Sequence, residues 1–334
     1  MDNFTALSVV AILAFALAAA GIALAIPWLR AFGAIADEND RTMHEGRIPK
    51  GGGAPLLIAA IIAIAVIGLP LDPVLMTCLA SLAALSLIND RRSVPFPIRL
   101  LAHLTAASAI AVSLPGDVTA LQGTVPQWMD RAVIIIALAW MMNLYNFMDG
   151  INSIAGAETV AISIGYLAIV GASPSGASHA PVAAAVIGAT VGFLIWNLRP
   201  VARVFLGDAG SVPLGLLMGV LMLDLAGRGY WAAALILPAT FVADASLTLL
   251  QRMAAGEKFW HAHKSHHYQR AAQRLGAHLP VVGMMTCANS ILIVLALWSI
   301  TAPWPALAGA IATVALLFWA LGRAGRFLSS DSGP

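Results

Sequence analysis

Residues 131–150 read RAVIIIALAWMMNLYNFMDG, an apolar run that ends on two amides and a carboxylate, Asn143, Asn146 and Asp149. In a helix these three, spaced three apart, share one face. The first part of the stretch suits hydrocarbon. The last part does not, because ionisable and amide groups inside a bilayer are costly and tend to mark function. The stretch therefore predicts a helix that crosses a membrane and delivers a polar face to the membrane boundary.

The rest of the chain agrees. Hydrophobic residues make up 60% of 334 positions and charged residues 10%, against roughly 45–50% and about 25% in soluble domains. A hydrocarbon core about 30 Å thick takes about 20 helical residues. On that measure eleven candidate spans fall near 5–29, 54–71, 74–88, 98–114, 131–146, 152–172, 180–198, 211–226, 230–251, 280–302 and 304–322. The expected fold is an all-α polytopic helical bundle, one domain over 1–334. Ala, Gly and Leu run through the spans, as close helix packing in lipid favours. A closed barrel would need alternation at every second residue, which is missing.

The first apolar stretch has no Lys or Arg before it and is too long for a signal-peptide core, so it reads as a retained span. Cys78 and Cys287 fall inside spans and form no motif. The net charge of +2 gives no reason to expect a nucleic-acid partner. The placement of charge is more telling. With eleven spans, sixteen of the eighteen Lys and Arg residues fall on the side of the odd-numbered loops and the C-terminus, leaving Arg131 and Arg228 for the other side. The positive-inside rule then puts the N-terminus outside and the C-terminus in the cytoplasm. The cytoplasmic loops lie near 30–53, 89–97, 147–151, 199–210 and 252–279.

Acids, amides and histidines collect on that same face. In VFLGDAGSVPLG (204–215) Asp208 sits between glycines ahead of a new helix, whose N-terminus favours an anion. A carboxylate there suits Mg²⁺, which often takes one or two protein oxygens plus substrate phosphates. An Asp-Gly turn with Ser211 as a helix cap would use the same residues. SLINDRRSVPFPIRLL (86–101) offers Asn89 and Asp90 at a span end, followed by Arg91, Arg92 and Arg99. It reads either as a carboxylate near a metal with cations for phosphate, or as a capped helix with a basic anchor.

FWHAHKSHHYQR (259–270) holds four histidines. His263 and His267 have the i, i+4 spacing that zinc uses, but no cysteine or nearby acid completes a site. Imidazoles beside Lys264 and Arg270 suit a diphosphate better, and a solvated basic loop is the plain alternative. DENDRTMHEGRIPKGGG (37–53) lacks the Gly-Lys-Ser/Thr ending of a P-loop. Its Arg41, His44 and Lys50 suit an anionic headgroup or simple anchoring at the membrane surface. Asp244, inside a span, is of functional interest; Asp224, His103 and His179 read as structural.

In this order, NxxNFxDG, FxGDxGS and a histidine-rich loop, preceded by the acid after the third span and by the 37–53 loop, the motifs resemble the polyprenyl-phosphate N-acetylhexosamine-1-phosphate transferase family of WecA, WbpL and MraY. The stretch from Ala243 to Arg270 is most similar to the WbpL-like glycosyltransferase family 4 branch. The resemblance implies transfer of a sugar 1-phosphate from a UDP-N-acetylhexosamine to undecaprenyl phosphate, with release of UMP and with Mg²⁺, or Mn²⁺ in its place, as cofactor. It implies Asn146 and Asp208 as metal ligands, and Asp90, Asp149 and Asp208 as catalytic acids. Asn89, Arg99, Asn143, His263, His266, His267, Arg41 and His44 would contact substrates.

The implied setting is the cytoplasmic face of a bacterial inner membrane, at the start of an envelope glycan such as lipopolysaccharide O-antigen, with room for a homodimer. Asn89 departs from the family's Asp-Asp pair and Ser153 from its glycine. An amide cannot accept a proton, and a phosphate monoester is already mostly dianionic at pH 7. A transporter or lipid flippase is the rival class, although its sites would lie near the midplane within internal repeats.

Overall fold

The computed structural model describes residues 3–35, 48–172, 179–198, 202–257 and 264–324. Within them the chain is all-α, a polytopic bundle of nine helices long and apolar enough to cross a membrane, with shorter helices between. The long ones are α1 (Asn3–Phe32), α3 (Pro73–Arg91), α4 (Phe96–Ser113), α5 (Gln127–Met148), α6 (Ile154–Gly171), α7 (Ala180–Asn197), α8 (Asp208–Gly227), α12 (Leu279–Trp298) and α13 (Pro303–Arg323). Helix α8 is the centre of the bundle; its side chains from Ala209 to Leu223 are all buried. The polar ends of α3, α5, α8 and α10 (Ala239–Ala254) meet at one end of the bundle.

Two of the eleven expected spans take other forms. The second is α2 (Gly53–Val66), only 14 residues, or about 21 Å at 1.5 Å per residue. It stops ahead of Gly68, whose φ is +74°. The ninth is broken into α9 (Trp231–Ile236) and α10 at Pro238. Proline supplies no N–H to the helix and clashes with the preceding turn. The new N-terminus of α10 is satisfied from α6. Thr240 Oγ1 donates to Glu158 at 3.0 Å, Asn289 Nδ2 donates to the same carboxylate at 2.6 Å, and the Phe241 N–H also bonds to it.

The loop expected over 252–279 contains a further helix, α11 (His267–Leu275). Tyr268, Ala271 and Ala272 form its buried face, at the spacing of an amphipathic helix. Gly276, at φ +60°, closes it in the left-handed conformation. At the opposite end of the bundle, Asp224 is structural as expected. It accepts from Tyr166 Oη at 2.6 Å and from Arg228 Nε at 2.8 Å, with His179 Nδ1 at 3.5 Å.

Candidate active site

The N-terminus of α8 carries Asp208 and has no capping side chain of its own, so its first N–H groups need partners from elsewhere. Asp90 of α3 supplies them: Asp208 N donates to Asp90 Oδ1 at 3.0 Å and Ala209 N to Asp90 Oδ2 at 3.1 Å. The preceding residue holds the side chain. Asn89 Nδ2 donates to Asp208 Oδ2 at 2.6 Å, and Asn89 Oδ1 accepts from Val94 N at 2.8 Å. Arg99 Nη1 of α4 lies 3.5 Å from the same Asp208 oxygen. Thus Asn89 and Asp90 fix the carboxylate and the backbone of one residue.

The glycines at 51–53 serve packing. Phe205 N donates to Pro49 O, Gly52 N to Phe205 O and Gly53 N to Leu206 O, each at 2.9 Å. This short backbone ladder draws 49–53 against 205–210. A Cβ at Gly53 would overlap the Gly210 backbone, so both positions demand close approach of main chain to main chain. The ladder also brings the charge of Lys50 to bear on Asp90 and Asp149.

From α5, Asn146 Nδ2 donates to Ser211 Oγ at 3.2 Å, one turn into α8 from Asp208. This commits the amide nitrogen and leaves the carbonyl oxygen as the corner open to a cation. Asn143 Nδ2 donates back to Ala139 O at 2.7 Å, and its side chain lies near His103 of α4. Asp149 ends the helix. Removal from bulk water, then the charges of Asp208 and Asp90, push its carboxyl well above the usual carboxylate range, against the pull of Lys50.

Among the described residues, no three His, Cys, Asp or Glu side chains gather closely enough to hold an ion by themselves. The oxygens of Asp208 and Asn146, with the carboxyl groups of Asp90 and Asp149 acting on the same site, do fit a hard cation that draws its other ligands from phosphate and water.

The histidine segment is docked by Asp244 of α10, whose carboxylate is 1% exposed. His267 N donates to its Oδ1 at 2.9 Å and Tyr268 N to its Oδ2 at 3.1 Å; Thr248 Oγ1 donates at 3.2 Å. Asp244 therefore caps α11 as Asp90 caps α8. His266 lies with Nδ1 3.4 Å from Asp244 and its ring over Phe147, centroids 6.4 Å apart. Tyr268 Oη donates to Phe147 O at 2.9 Å, joining the segment to the NFMDG turn. A Cβ on Gly150 would collide with that hydroxyl.

His267 turns another way, its ring flat on Phe318 of α13 with centroids 4.4 Å apart. Burial lowers its pKa despite the nearby Asp244. This packing sets the ring against α13, whereas His266 faces the NFMDG turn. Arg41, His44 and His263 lie outside the described residues. Sequence reasoning gave Lys50 a headgroup contact and Asp244 a functional interest without a partner, and missed Glu158. Their partners lie far along the chain, beyond the reach of local pattern.

A family model described as glycosyl transferase family 4 matches residues 73–226, the part that holds Asn89, Asp90, Arg99, Asn143, Asn146, Asp149 and Asp208. Similar proteins include a probable undecaprenyl-phosphate N-acetylglucosaminyl 1-phosphate transferase of Bacillus subtilis, 21% identical over 250 residues, covering 71% of this chain and 69% of that protein. A phospho-N-acetylmuramoyl-pentapeptide-transferase of Anaplasma marginale is 27% identical over 259 residues, covering 67% and 74%. The corresponding protein of Heliobacterium modesticaldum is 32% identical over 152 residues, covering 42% and 45%. With the bundle and its polar end, these place the chain in a class, the membrane-embedded phosphotransferases of cell-envelope synthesis. Within that class the chain is similar, over residues 73–226, to the glycosyl transferase family 4.

Proposed function

We propose that this protein transfers an N-acetylhexosamine 1-phosphate from its UDP-sugar to undecaprenyl phosphate, with Mg²⁺, at the cytoplasmic face of a bacterial inner membrane. It would thereby start an envelope glycan such as an O-antigen. An oxygen of the acceptor phosphate forms a bond to the β-phosphorus of the donor. The bond from that phosphorus to the bridging oxygen breaks, and UMP leaves with that oxygen. The observation that carries the reading is the joining of Asp208, Asn89, Asp90, Arg99, Asn146 and Ser211 by direct contacts at the polar ends of four apolar helices. A water-borne donor and a lipid-borne acceptor can meet only at such a boundary.

Phosphoryl transfer asks a protein for alignment and charge neutralisation. When bound, Mg²⁺ supplies neutralisation of the diphosphate. Asp208 and Asn146 offer it oxygens, Asn89 holds the Asp208 carboxylate in place, and Arg99 presents a cation to phosphate. Asp244 positions the histidine segment against the NFMDG turn. The orientation with the N-terminus outside follows from the distribution of Lys and Arg. An apolar cavity of about 600 Å³ between α5, α8, α9 and α10, running from Met141 and Pro238 toward Leu121 and Ala226 at the opposite end of the bundle, offers length for a polyprenyl tail.

The test uses purified protein with undecaprenyl phosphate and each of several radiolabelled UDP-N-acetylhexosamines, with Mg²⁺ or with EDTA. Lipid-linked sugar phosphate and UMP should form in equal amounts, only with the metal. Asp208→Ala should lower turnover at least about a hundredfold, as loss of a group that organises transition-state charge does. Absence of a lipid-linked product with every donor would overturn the reading.

A further inference from the structure

Helix α4 brings two nitrogen atoms to the site that the contacts described so far leave without a role. His103 is 6% exposed, and its Nδ1 has no hydrogen-bond partner among the described residues. Arg99 Nε, one turn earlier on the same face, is likewise buried and unpartnered there, although Arg99 Nη1 reaches Asp208. A buried polar nitrogen without a partner costs about 1–3 kcal/mol, so two in adjacent turns at one site point to a ligand that completes them. The groups that surround His103 are Arg99, Asp208 and Asn143. Asp208 is already held by Asn89 and Arg99.

We propose that Arg99 and His103 together bind a phosphoryl oxygen of the lipid acceptor, His103 donating from Nδ1–H in its neutral form. Either ring nitrogen of a neutral imidazole can carry the proton. This rests on the transferase reading and adds to it a binding residue that the motifs do not contain. The alternative source of the same chemistry is the diphosphate of the donor. The acceptor is favoured by position. On the other, outward face of α4, Ile98 is 51% exposed and Leu101 65%. Apolar side chains this exposed in a membrane bundle face hydrocarbon, so α4 meets lipid on one face and carries the two nitrogens on the other, within a helix width of where a phosphate on a polyprenyl chain arrives.

Binding of undecaprenyl phosphate to the full-length protein in nanodiscs, with undecaprenol as the uncharged control, tests this without turnover. In His103→Phe, which keeps the ring volume and removes both nitrogens, affinity for undecaprenyl phosphate should fall about tenfold, the worth of one hydrogen bond to a charged group. Undecaprenol binding should be unchanged. His103→Gln, which retains an N–H donor, should recover most of the loss. In turnover assays the KM for the acceptor should rise in His103→Phe and the KM for the UDP-sugar should hold.

Equal affinity of wild type and His103→Phe for the phosphate would overturn the assignment and leave the transferase reading standing. A rise confined to the donor KM would also overturn it, since the pair would then serve the diphosphate. Failure of the wild type to prefer undecaprenyl phosphate over undecaprenol would sink both. Should His103→Phe unfold, the Gln variant compared with His103→Leu decides on the same criteria.

Discussion

Asn89 Nδ2 donates to Asp208 Oδ2 at 2.6 Å, so an amide orients the carboxylate offered to the metal. The family pattern has an acid at this position. Asn89→Asp would set two carboxylates at hydrogen-bond distance, where one must take a proton or both must move apart. Removing the hydrogen bond and adding repulsion should cost about 1–3 kcal/mol in the metal-free protein. A divalent cation offsets that repulsion. The thermal midpoint of Asn89→Asp should therefore lie below wild type in EDTA and approach it in Mg²⁺. A gap of equal size in both conditions would contradict this account.

Asp244 does for the histidine segment what Asp90 does for Asp208. Its two oxygens receive the His267 and Tyr268 N–H groups, and the carboxylate is buried. Asp244→Ala leaves both donors without their acceptor, at a cost of about 1–3 kcal/mol for each that water does not reach. It should loosen α11 and lower turnover, while stabilisation by added Mg²⁺ stays at the wild-type value because Asp208 and Asn146 are untouched. Hydrogen exchange confined to 264–275 would locate the change; faster exchange spread through α8 would argue against it.

Gly150 and Tyr268 can be tested as a pair. A methyl group on Gly150 meets the Tyr268 hydroxyl and lies 2.8 Å from Gln269 Nε2. Gly150→Ala should then destabilise the docking of α11 and reduce turnover. Tyr268→Phe loses the bond to Phe147 O but removes the oxygen that the methyl group strikes. In the double-mutant cycle the cost of Gly150→Ala should shrink in the Phe background, by about 0.5–3 kcal/mol as for residues in contact. Strict additivity would show that the close approach has no consequence.

Most of the bundle could be read in the sequence, because apolar runs bounded by Asp72, Asn89, Asn146 or Asp208 leave a bilayer-spanning helix little choice of ends. The exceptions share a cause. The break at Pro238 lies inside a run of continuous hydropathy and is tolerated because Glu158, distant in sequence, satisfies the N-terminus of α10. Helix α11 showed its pattern in Tyr268, Ala271, Ala272 and Leu275, but four histidines and three basic residues nearby made the segment look like a solvated loop.

At the site, residue types were legible and partners were not. Asn89 and Asp90 stand side by side in sequence, and only the approach of α8 shows that one binds the Asp208 side chain and the other its backbone. His266 and His267 are indistinguishable in composition. Contact with Phe147 in one case and Phe318 in the other separates them.

Asp149 links the site to pH. Burial, then Asp208 and Asp90, raise its pKa in the metal-free protein. A carboxyl whose folded pKa lies above its unfolded value binds more protons folded than unfolded. The stabilisation it contributes is full below the unfolded value near 3.9 and declines as pH rises through the raised one. A divalent cation beside it favours the ionised form, so metal binding at a pH below the raised value releases a proton. Apparent Mg²⁺ affinity should rise with pH above the unfolded value and level off above the raised one, by at most about tenfold per pH unit for one linked proton. Isothermal titration in two buffers of different ionisation enthalpy would count the proton directly. Asp149→Asn should lower the number of protons released and flatten the pH dependence. Affinity that does not change with pH in the wild type, or proton release that is undiminished in Asp149→Asn, would place the linked proton on another group.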